Sequence, residues 1–117
     1  MRVVIGLKLP SLNEYINICR TNRYKAAEYK RKLEAKILPY FAGVKRFEKP
    51  IRINFVWIEE NKRRDLDNVC FAKKFILDAM VRGRYLKDDN RKCVVGFTDS
   101  FEYGEKARVI LDIEEVE

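Results

Sequence analysis

The sequence predicts an α+β fold, in which a mixed β-sheet carries two main helices packed on one face. The predicted element order is β-α-β-α-β-β, within a single domain spanning residues 1–117. Stretches rich in alternating or β-branched apolar residues, typical of strands, are separated by two stretches with helical periodicity. A chain of 117 residues, 47% of them hydrophobic, is large enough for one buried core.

The first half of the chain predicts one strand and one long helix. Residues 2–8, RVVIGLK, are rich in β-branched residues and predict a buried strand. Ser11 followed by Glu14 forms a capping-box pattern, which predicts a short helical turn. The segment Asn22–Leu38, rich in Ala, Lys, Glu and Leu, predicts a helix that ends before a proline.

The second half predicts three strands and one further helix. Residues 51–59, IRINFVWIE, alternate in polarity as a half-buried strand does, and residues 92–98 and 106–113 predict two more strands. Apolar residues at helical spacing predict a helix over residues 66–81, which Gly83 ends. The order permits parallel pairing of the first two strands and a hairpin of the last two.

The composition excludes several kinds of chemistry. There is no histidine, which excludes Ser-His-Asp and Cys-His catalysis and histidine metal sites. The three cysteines lack a C-x-x-C spacing, which argues against a disulfide framework or structural zinc. A metal, if used, is therefore expected on oxygen ligands, which favours Mg²⁺, with Mn²⁺ as an alternative.

The charge distribution predicts a polyanion partner. The formal net charge is +7, with a basic first half and an acidic C-terminal end. A plain solvated surface is the alternative explanation. No apolar run approaches the length of a membrane span and the N-terminus does not resemble a secretory signal, so a cytoplasmic protein without membrane association is expected.

The stretch KRRDLDN places two acids, Asp65 and Asp67, directly after a basic cluster. In an extended backbone such residues point to the same side, about 6.5–7 Å apart, whereas on a helix they diverge by about 200°. A shared role therefore predicts that they lie where the strand leads into the helix, able to hold a metal ion against a phosphate. Helix capping by Asp67 is the alternative, and both roles can coexist.

The following helix carries a polar stripe. On the predicted helix, Lys74 and Asp78 lie about 700° and about 1100° beyond Asp67, close to one line, while Lys73 lies about 120° away. A lysine presented to a scissile phosphate or leaving oxygen is one interpretation. A surface ion pair between Lys74 and Asp78 is the other.

Asp88, Asp89 and Asn90 form the third polar feature. Their composition is typical of a turn. The helix and its short return can also bring Asp89 to the sheet edge that holds Asp65, where a third acid would complete an oxygen site for Mg²⁺.

These motifs resemble one family. RRDLDN, a helix ending in LDAM, a glycine and then LKDDN are similar to the RusA type of Holliday junction resolvase. The version DLDNVCFAKKFILDAM…GRYLKDDN is most similar to RusA-like proteins of phages and prophages of Gram-positive bacteria. The N-terminal LPSLNEYI also resembles the family's start, so the resemblance covers most of the chain.

The resemblance implies a homodimeric, Mg²⁺-dependent endonuclease that resolves four-way DNA junctions by paired symmetric nicks. It implies catalytic, metal-binding roles for Asp65, Asp67 and Asp89, and a role for a lysine on the following helix. The family pattern places this lysine four residues after the second Asp, where this chain has Phe71. Counting back from Leu-Asp-Ala instead indicates Lys74, as if one helical turn were inserted, and Lys73 remains the alternative.

DNA backbone contacts are expected from the basic cluster and the basic face of the first long helix. The candidate residues are Lys62, Arg63, Arg64, Arg23, Lys25, Lys30 and Arg31. The expected setting is DNA recombination, repair or phage DNA processing in a bacterial host cell. Two alternatives remain open: a non-catalytic nucleic-acid-binding module, and a Mg²⁺ nuclease acting on other branched or single-stranded DNA.

Overall fold

The computed structural model describes all 117 residues and contains four strands, four α-helices and one 3₁₀ turn. This architecture confirms the α+β class and the mixed sheet. The elements in chain order are β1 (Arg2–Ile5), α1 (Leu12–Thr21), α2 (Arg23–Ile37), the 3₁₀ turn (Leu38–Phe41), β2 (Ile51–Glu59), α3 (Leu66–Cys70), α4 (Lys73–Arg82), β3 (Val94–Tyr103) and β4 (Arg108–Glu115).

The sheet order is β1-β4-β2-β3, with β1 and β3 at the edges. β2 and β3 are parallel, while β4 pairs antiparallel with both β1 and β2. The two strand pairings that the order permits are therefore not adopted: β1 does not pair with β2, and β3 does not pair with β4. The strongly alternating β4 lies in the interior of the sheet, where its backbone is hydrogen-bonded on both sides, and α3 and α4 supply the crossover that parallel pairing requires.

The core lies between one face of the sheet and the helices. Ile53, Phe55 and Trp57 alternate along β2 and point inward at 2% exposure or less. They belong to one apolar cluster with Ile37 of α2 and Ile76 of α4. The carboxyl end of β2 is thereby fixed, and with it the loop that leads into α3.

The helix predicted over residues 66–81 is broken into α3 and α4. Around the break, the backbone N–H groups of Lys74 and Phe75 bond carbonyls three residues back, at 3.0 Å in each case. This tight turn lets Val69 and Ala72 both face the core, while Phe71 packs against Tyr15 of α1 with ring centroids 6.1 Å apart. The break falls in the region where the spacing of the family's motif indicated one inserted helical turn.

The short helical turn predicted after Ser11 is a full helix of ten residues. Ser11 caps it by accepting a hydrogen bond from the Glu14 backbone N–H at 3.2 Å, as the capping-box pattern predicts. Asn22 ends α1 and begins α2, since its side chain accepts from the backbone N–H groups of Tyr24 and Lys25. One residue thus joins two full helices where the sequence predicted a short helical turn followed by one helix.

Gly83 ends α4, as predicted. A Cβ atom at this position would lie 2.5 Å from Leu38 Cδ2, so a larger residue would have to displace the Leu38 side chain of the 3₁₀ turn. The left-handed residue of this helix end is the next one, Arg84, with φ 64°. The chain then turns through residues 88–90 and returns to the sheet as β3.

Candidate active site

Asp65 and Asp67 lie on an exposed corner of the molecule, where the loop after β2 becomes α3. Asp65 has extended backbone (φ −67°, ψ 152°) at the N-cap position, yet its side chain makes no capping hydrogen bond. Asp67 lies within the first turn, where its Oδ1 accepts only the backbone N–H of Asn68 at 3.0 Å. The predicted extended backbone therefore holds at Asp65 and is wrong at Asp67, and neither carboxylate caps the helix in the usual way.

Both carboxylates remain free of ion pairs. The start of α3 favours negative charge nearby, because the helix dipole is positive at that end. Because neither carboxylate has an ion-pair partner, the oxygens of both are available to a ligand.

Lys74 lies between two carboxylates. Its Nζ is 2.9 Å from Asp89 Oδ2 and 3.1 Å from Asp78 Oδ1. Hydrogen bonding to Asp89, and then to Asp78, raises the pKa of Lys74 above its ordinary value. The predicted pairing of Lys74 with Asp78 is thus confirmed, but the predicted stripe does not extend to Asp67, which lies on a separate helix beyond the break.

Lys73 points to a different set of partners. Its Nζ lies 2.5 Å from Asp99 Oδ2 and 4.1 Å from the centroid of the Phe97 ring. Asp99 also accepts the indole N–H of Trp57 at 2.8 Å. The two adjacent lysines therefore have different partners. Lys74 contacts one of the predicted catalytic acids, and Lys73 does not.

Asp99 was missed by the sequence reasoning. The available signal was the alternation of Phe97, Asp99 and Phe101 in β3, which places an acid among residues on the helix-covered side of the sheet. The predicted strand ended at residue 98, so the alternation was cut short.

The three residues of the Asp-Asp-Asn stretch have different roles. Asp88 accepts the backbone N–H of Asp89 at 2.7 Å and the side-chain amide of Asn90 at 3.0 Å. Asn90 accepts the backbone N–H groups of Lys92 and Cys93. Asp88 and Asn90 thus build the turn, and the carboxylate of Asp89 is left to bond Lys74.

The three predicted metal ligands fit a divalent cation in chemistry but are not gathered around one point. Carboxylate oxygens are the ligands that Mg²⁺ prefers. However, no group of three acidic or cysteine side chains lies close enough to hold a metal ion. The predicted convergence of Asp65, Asp67 and Asp89 is absent from this structure, in which the ammonium group of Lys74 neutralises Asp89.

The predicted DNA-contacting residues fall into two groups. Five are exposed and form no ion pair, namely Lys62, Arg63, Arg23, Lys25 and Arg31. The other two are engaged inside the protein. Arg64 contacts Glu59 at 3.3 Å and donates to the Leu9 carbonyl, and Lys30 contacts Asp78 at 2.6 Å.

An exposed pair of carboxylates beside unpaired cations, on a small basic α+β domain, is typical of an enzyme that acts on nucleic acid. A family model described as Endodeoxyribonuclease RusA matches residues 7–114. The chain belongs to the RusA family and is an endodeoxyribonuclease of the Holliday junction resolvase type. The family acts on branched DNA junctions and suggests a divalent metal.

No curated protein matches the chain. None of its helices is both long enough and apolar enough to cross a membrane.

Proposed function

We propose that this enzyme is a Mg²⁺-dependent homodimer that resolves four-way DNA junctions by paired symmetric nicks. Its proposed setting is recombination, repair or phage DNA processing in the cytoplasm of a bacterial host, with residues 1–117 acting as one nuclease domain. The observation that carries the proposal is the exposed pair Asp65 and Asp67, which has no structural partner and adjoins the unpaired cations Lys62 and Arg63.

The proposed catalytic residues are Asp65, Asp67, Asp89 and Lys74. The three acids would hold Mg²⁺, which when bound makes a water more acidic and stabilises charge on the phosphate. Asp89 can take part only after it exchanges its contact with Lys74, 2.9 Å away. The ammonium group so released would be free to stabilise the phosphate or the leaving oxygen. Mn²⁺ is expected to replace Mg²⁺, since both take oxygen ligands.

DNA binding is proposed on the basic side chains of α2 and of the loop before α3. Arg23, Lys25 and Arg31 are exposed on α2, and Lys62 and Arg63 lie beside the proposed catalytic acids. Unpaired lysine and arginine side chains can neutralise DNA phosphates with release of counterions. Arg64 and Lys30 are left out of this set because their charges are already paired within the protein.

The homodimer is proposed because a four-way junction with two-fold symmetry requires two equivalent sites for paired nicks. The edge strand β3 supports this part of the proposal. It has no partner on its outer side and carries Val95 and Phe97 at 43% and 50% exposure. An exposed edge with apolar side chains is suited to contact between two copies of the chain.

The test compares an immobile four-way junction, a linear duplex and a single strand of the same sequences, each with Mg²⁺ or with a chelator. We expect paired nicks in the junction only, and only with Mg²⁺. Equal cleavage of junction and duplex would favour a general Mg²⁺ nuclease. Junction binding without any metal-dependent cleavage would contradict the catalytic proposal and favour a non-catalytic binding module.

A further inference from the structure

Six charged side chains connect helix α2 to the proposed catalytic residues. Positive and negative groups alternate along this chain of contacts, with distances of 2.5, 4.0, 2.6, 3.1 and 2.9 Å between successive members. In order, the members are Arg82, Glu34, Lys30, Asp78, Lys74 and Asp89. We refer to them as the charge chain.

The charge chain is anchored in the protein interior. The side chain of Glu34 is 3% exposed and contacts Arg82 and Lys30, which lie on α4 and α2 respectively. A buried carboxylate is stable only when cations compensate its charge. These contacts therefore fix the position of α2 relative to α4. The charges of the three cations and three anions in the charge chain cancel.

Asp78 is the member that sets the direction of Lys74. Its side chain is 17% exposed, and its two oxygens have separate partners: Oδ2 contacts Lys30 and Oδ1 contacts Lys74. Because Lys30 fixes Asp78 from α2, the free oxygen of Asp78 faces Lys74. The flexible stem of Lys74, 56% exposed, is thereby restrained at its charged end, next to Asp89.

We propose that Asp78 is a positioning residue that keeps the Lys74 ammonium group at the proposed active site when Asp89 exchanges its contact with Lys74, with Lys30 fixing Asp78 in turn. The inference rests on the proposed catalytic role of Lys74 and assigns to α2 a second task besides DNA contact. A displacement of about 1 Å in a reacting group can cost about 10²-fold in rate, so such restraint has a measurable effect.

A purely structural ion pair is the competing explanation, and the chain offers a matched control for it. Glu28 and Lys32 form an i,i+4 pair of carboxylate and ammonium on α2 at 2.9 Å, with the same spacing as Lys74 and Asp78 but in the reverse order. This pair is exposed and touches no member of the charge chain. Its removal reports the effect of losing a helical ion pair alone.

The kinetic experiment uses the full chain with Asp78→Asn, Asp78→Glu and Glu28→Gln. Single-turnover cleavage of a four-way junction with Mg²⁺ is measured well below the unfolding temperature of each variant, together with junction affinity in chelator. We expect Asp78→Asn to lower the cleavage rate about 10-fold or more while the affinity changes less than about 2-fold. Asp78→Glu should restore most of the rate, and Glu28→Gln should match the parent protein.

An NMR experiment without DNA reads the positioning directly. The Lys74 side-chain ¹⁵Nζ signal is followed in the parent protein, in Asp78→Asn and in Lys30→Met, which keeps Asp78 but removes its restraint. We expect proton exchange of the Lys74 ammonium group to be slowest in the parent protein and faster in both variants, in which Asp89 remains as a partner but the restraint by a fixed Asp78 is lost. A signal unchanged by Asp78→Asn, or a cleavage rate unchanged by it, would overturn the inference.

The two experiments also separate this inference from the proposed function. A parent protein that cleaves no junction contradicts the proposed function, while the NMR result still decides whether Asp78 holds Lys74. A variant that fails to fold is replaced by Lys30→Met, whose effect on the Lys74 signal has the same expected direction.

Discussion

The two halves of the proposed active site differ in how the protein holds their charges. At the start of α3, Asp65 and Asp67 are exposed and have no ion pair. At α4 and the following turn, Lys74 and Asp89 belong to a network that reaches the buried Glu34. Charged groups without an ion-pair partner indicate where a ligand binds. Charged groups engaged in ion pairs indicate which side chains the fold holds in place.

The largest expected effect concerns the unsatisfied half. Asp65→Asn or Asp67→Asn should reduce junction cleavage by on the order of 10³-fold, because each removes a charge from the proposed metal ligands. Neither should lower the free energy of unfolding by more than about 0.5 kcal/mol, since Asp65 makes no capping hydrogen bond and an asparagine oxygen at position 67 can still accept the Asn68 backbone N–H. Urea unfolding and cleavage rates on the same preparations check this. Substantial destabilisation would show that this half is structural after all.

The two adjacent lysines sharpen the comparison. Lys74→Met should reduce the cleavage rate by about 10²-fold, as expected for loss of a group that stabilises transition-state charge. Lys73→Met should instead lower stability, by about 1–3 kcal/mol, because Asp99 loses its cation while only 20% exposed. Paired measurements of cleavage and urea unfolding distinguish them. The reverse pattern would make Lys73 the active-site lysine.

A substitution at Glu34 tests the buried part of the charge chain. Glu34→Gln should lower the free energy of unfolding by about 2 kcal/mol, because the buried side chain loses its charge-assisted contacts with Arg82 and Lys30. Glu28→Gln, which removes an exposed pair on the same helix, should cost less than about 0.5 kcal/mol. Chemical denaturation gives both values. Equal values for the two variants would mean that the charge chain contributes no more than a surface pair.

DNA binding should depend on unpaired cations only. Arg31→Ala should reduce the slope of log affinity against log salt by about 1, the effect of one lost phosphate contact. Lys106→Ala, at an exposed position in the acidic C-terminal region, serves as the control and should leave the slope unchanged. Anisotropy titrations with a four-way junction at several salt concentrations measure both. A smaller slope with Lys106→Ala would place the DNA elsewhere.

The smallest expected effect is the pH dependence of Lys74. Its pKa is raised in the folded protein, chiefly by Asp89, so its stabilising contribution is fully present below the ordinary lysine pKa of 10.5. The contribution is lost as the pH rises through the raised value. The unfolding midpoints of the parent protein and Lys74→Met should therefore differ at neutral pH and converge in strongly alkaline solution. A difference that does not shrink would contradict the assigned ion pairs.

Local patterns predicted the elements better than the sheet. Strand β2 was predicted at its observed bounds, because its alternation depends on a single strand and its burial. The position of β4 between β1 and β2 depends on pairing with residues 50 to 110 positions earlier in the chain, which no local pattern contains. The break at Phe71 and Ala72 was missed for a related reason, since it arises from packing against α1 and the core.

The candidate site shows the same limit. Sequence spacing and the family resemblance indicated Asp65, Asp67, Lys74 and Asp89 as candidates, and the structure brings Lys74 and Asp89 into contact. The sequence could not predict that Arg64 points inward and contacts Glu59, because an arginine in a basic run gives no sign of burial. The angular argument for Lys74 relied on a continuous helix and fails at the break, although the contact with Asp89 is present.

We propose that Asp65, Asp67 and Asp89 share one metal ion in the working enzyme. Crystals grown with Mn²⁺ test this proposal through the anomalous scattering of the metal. We expect a peak about 2.0–2.2 Å from oxygens of all three carboxylates, with Lys74 moved away from Asp89. A peak at other residues, or Asp89 still bound to Lys74 with no metal nearby, would contradict it.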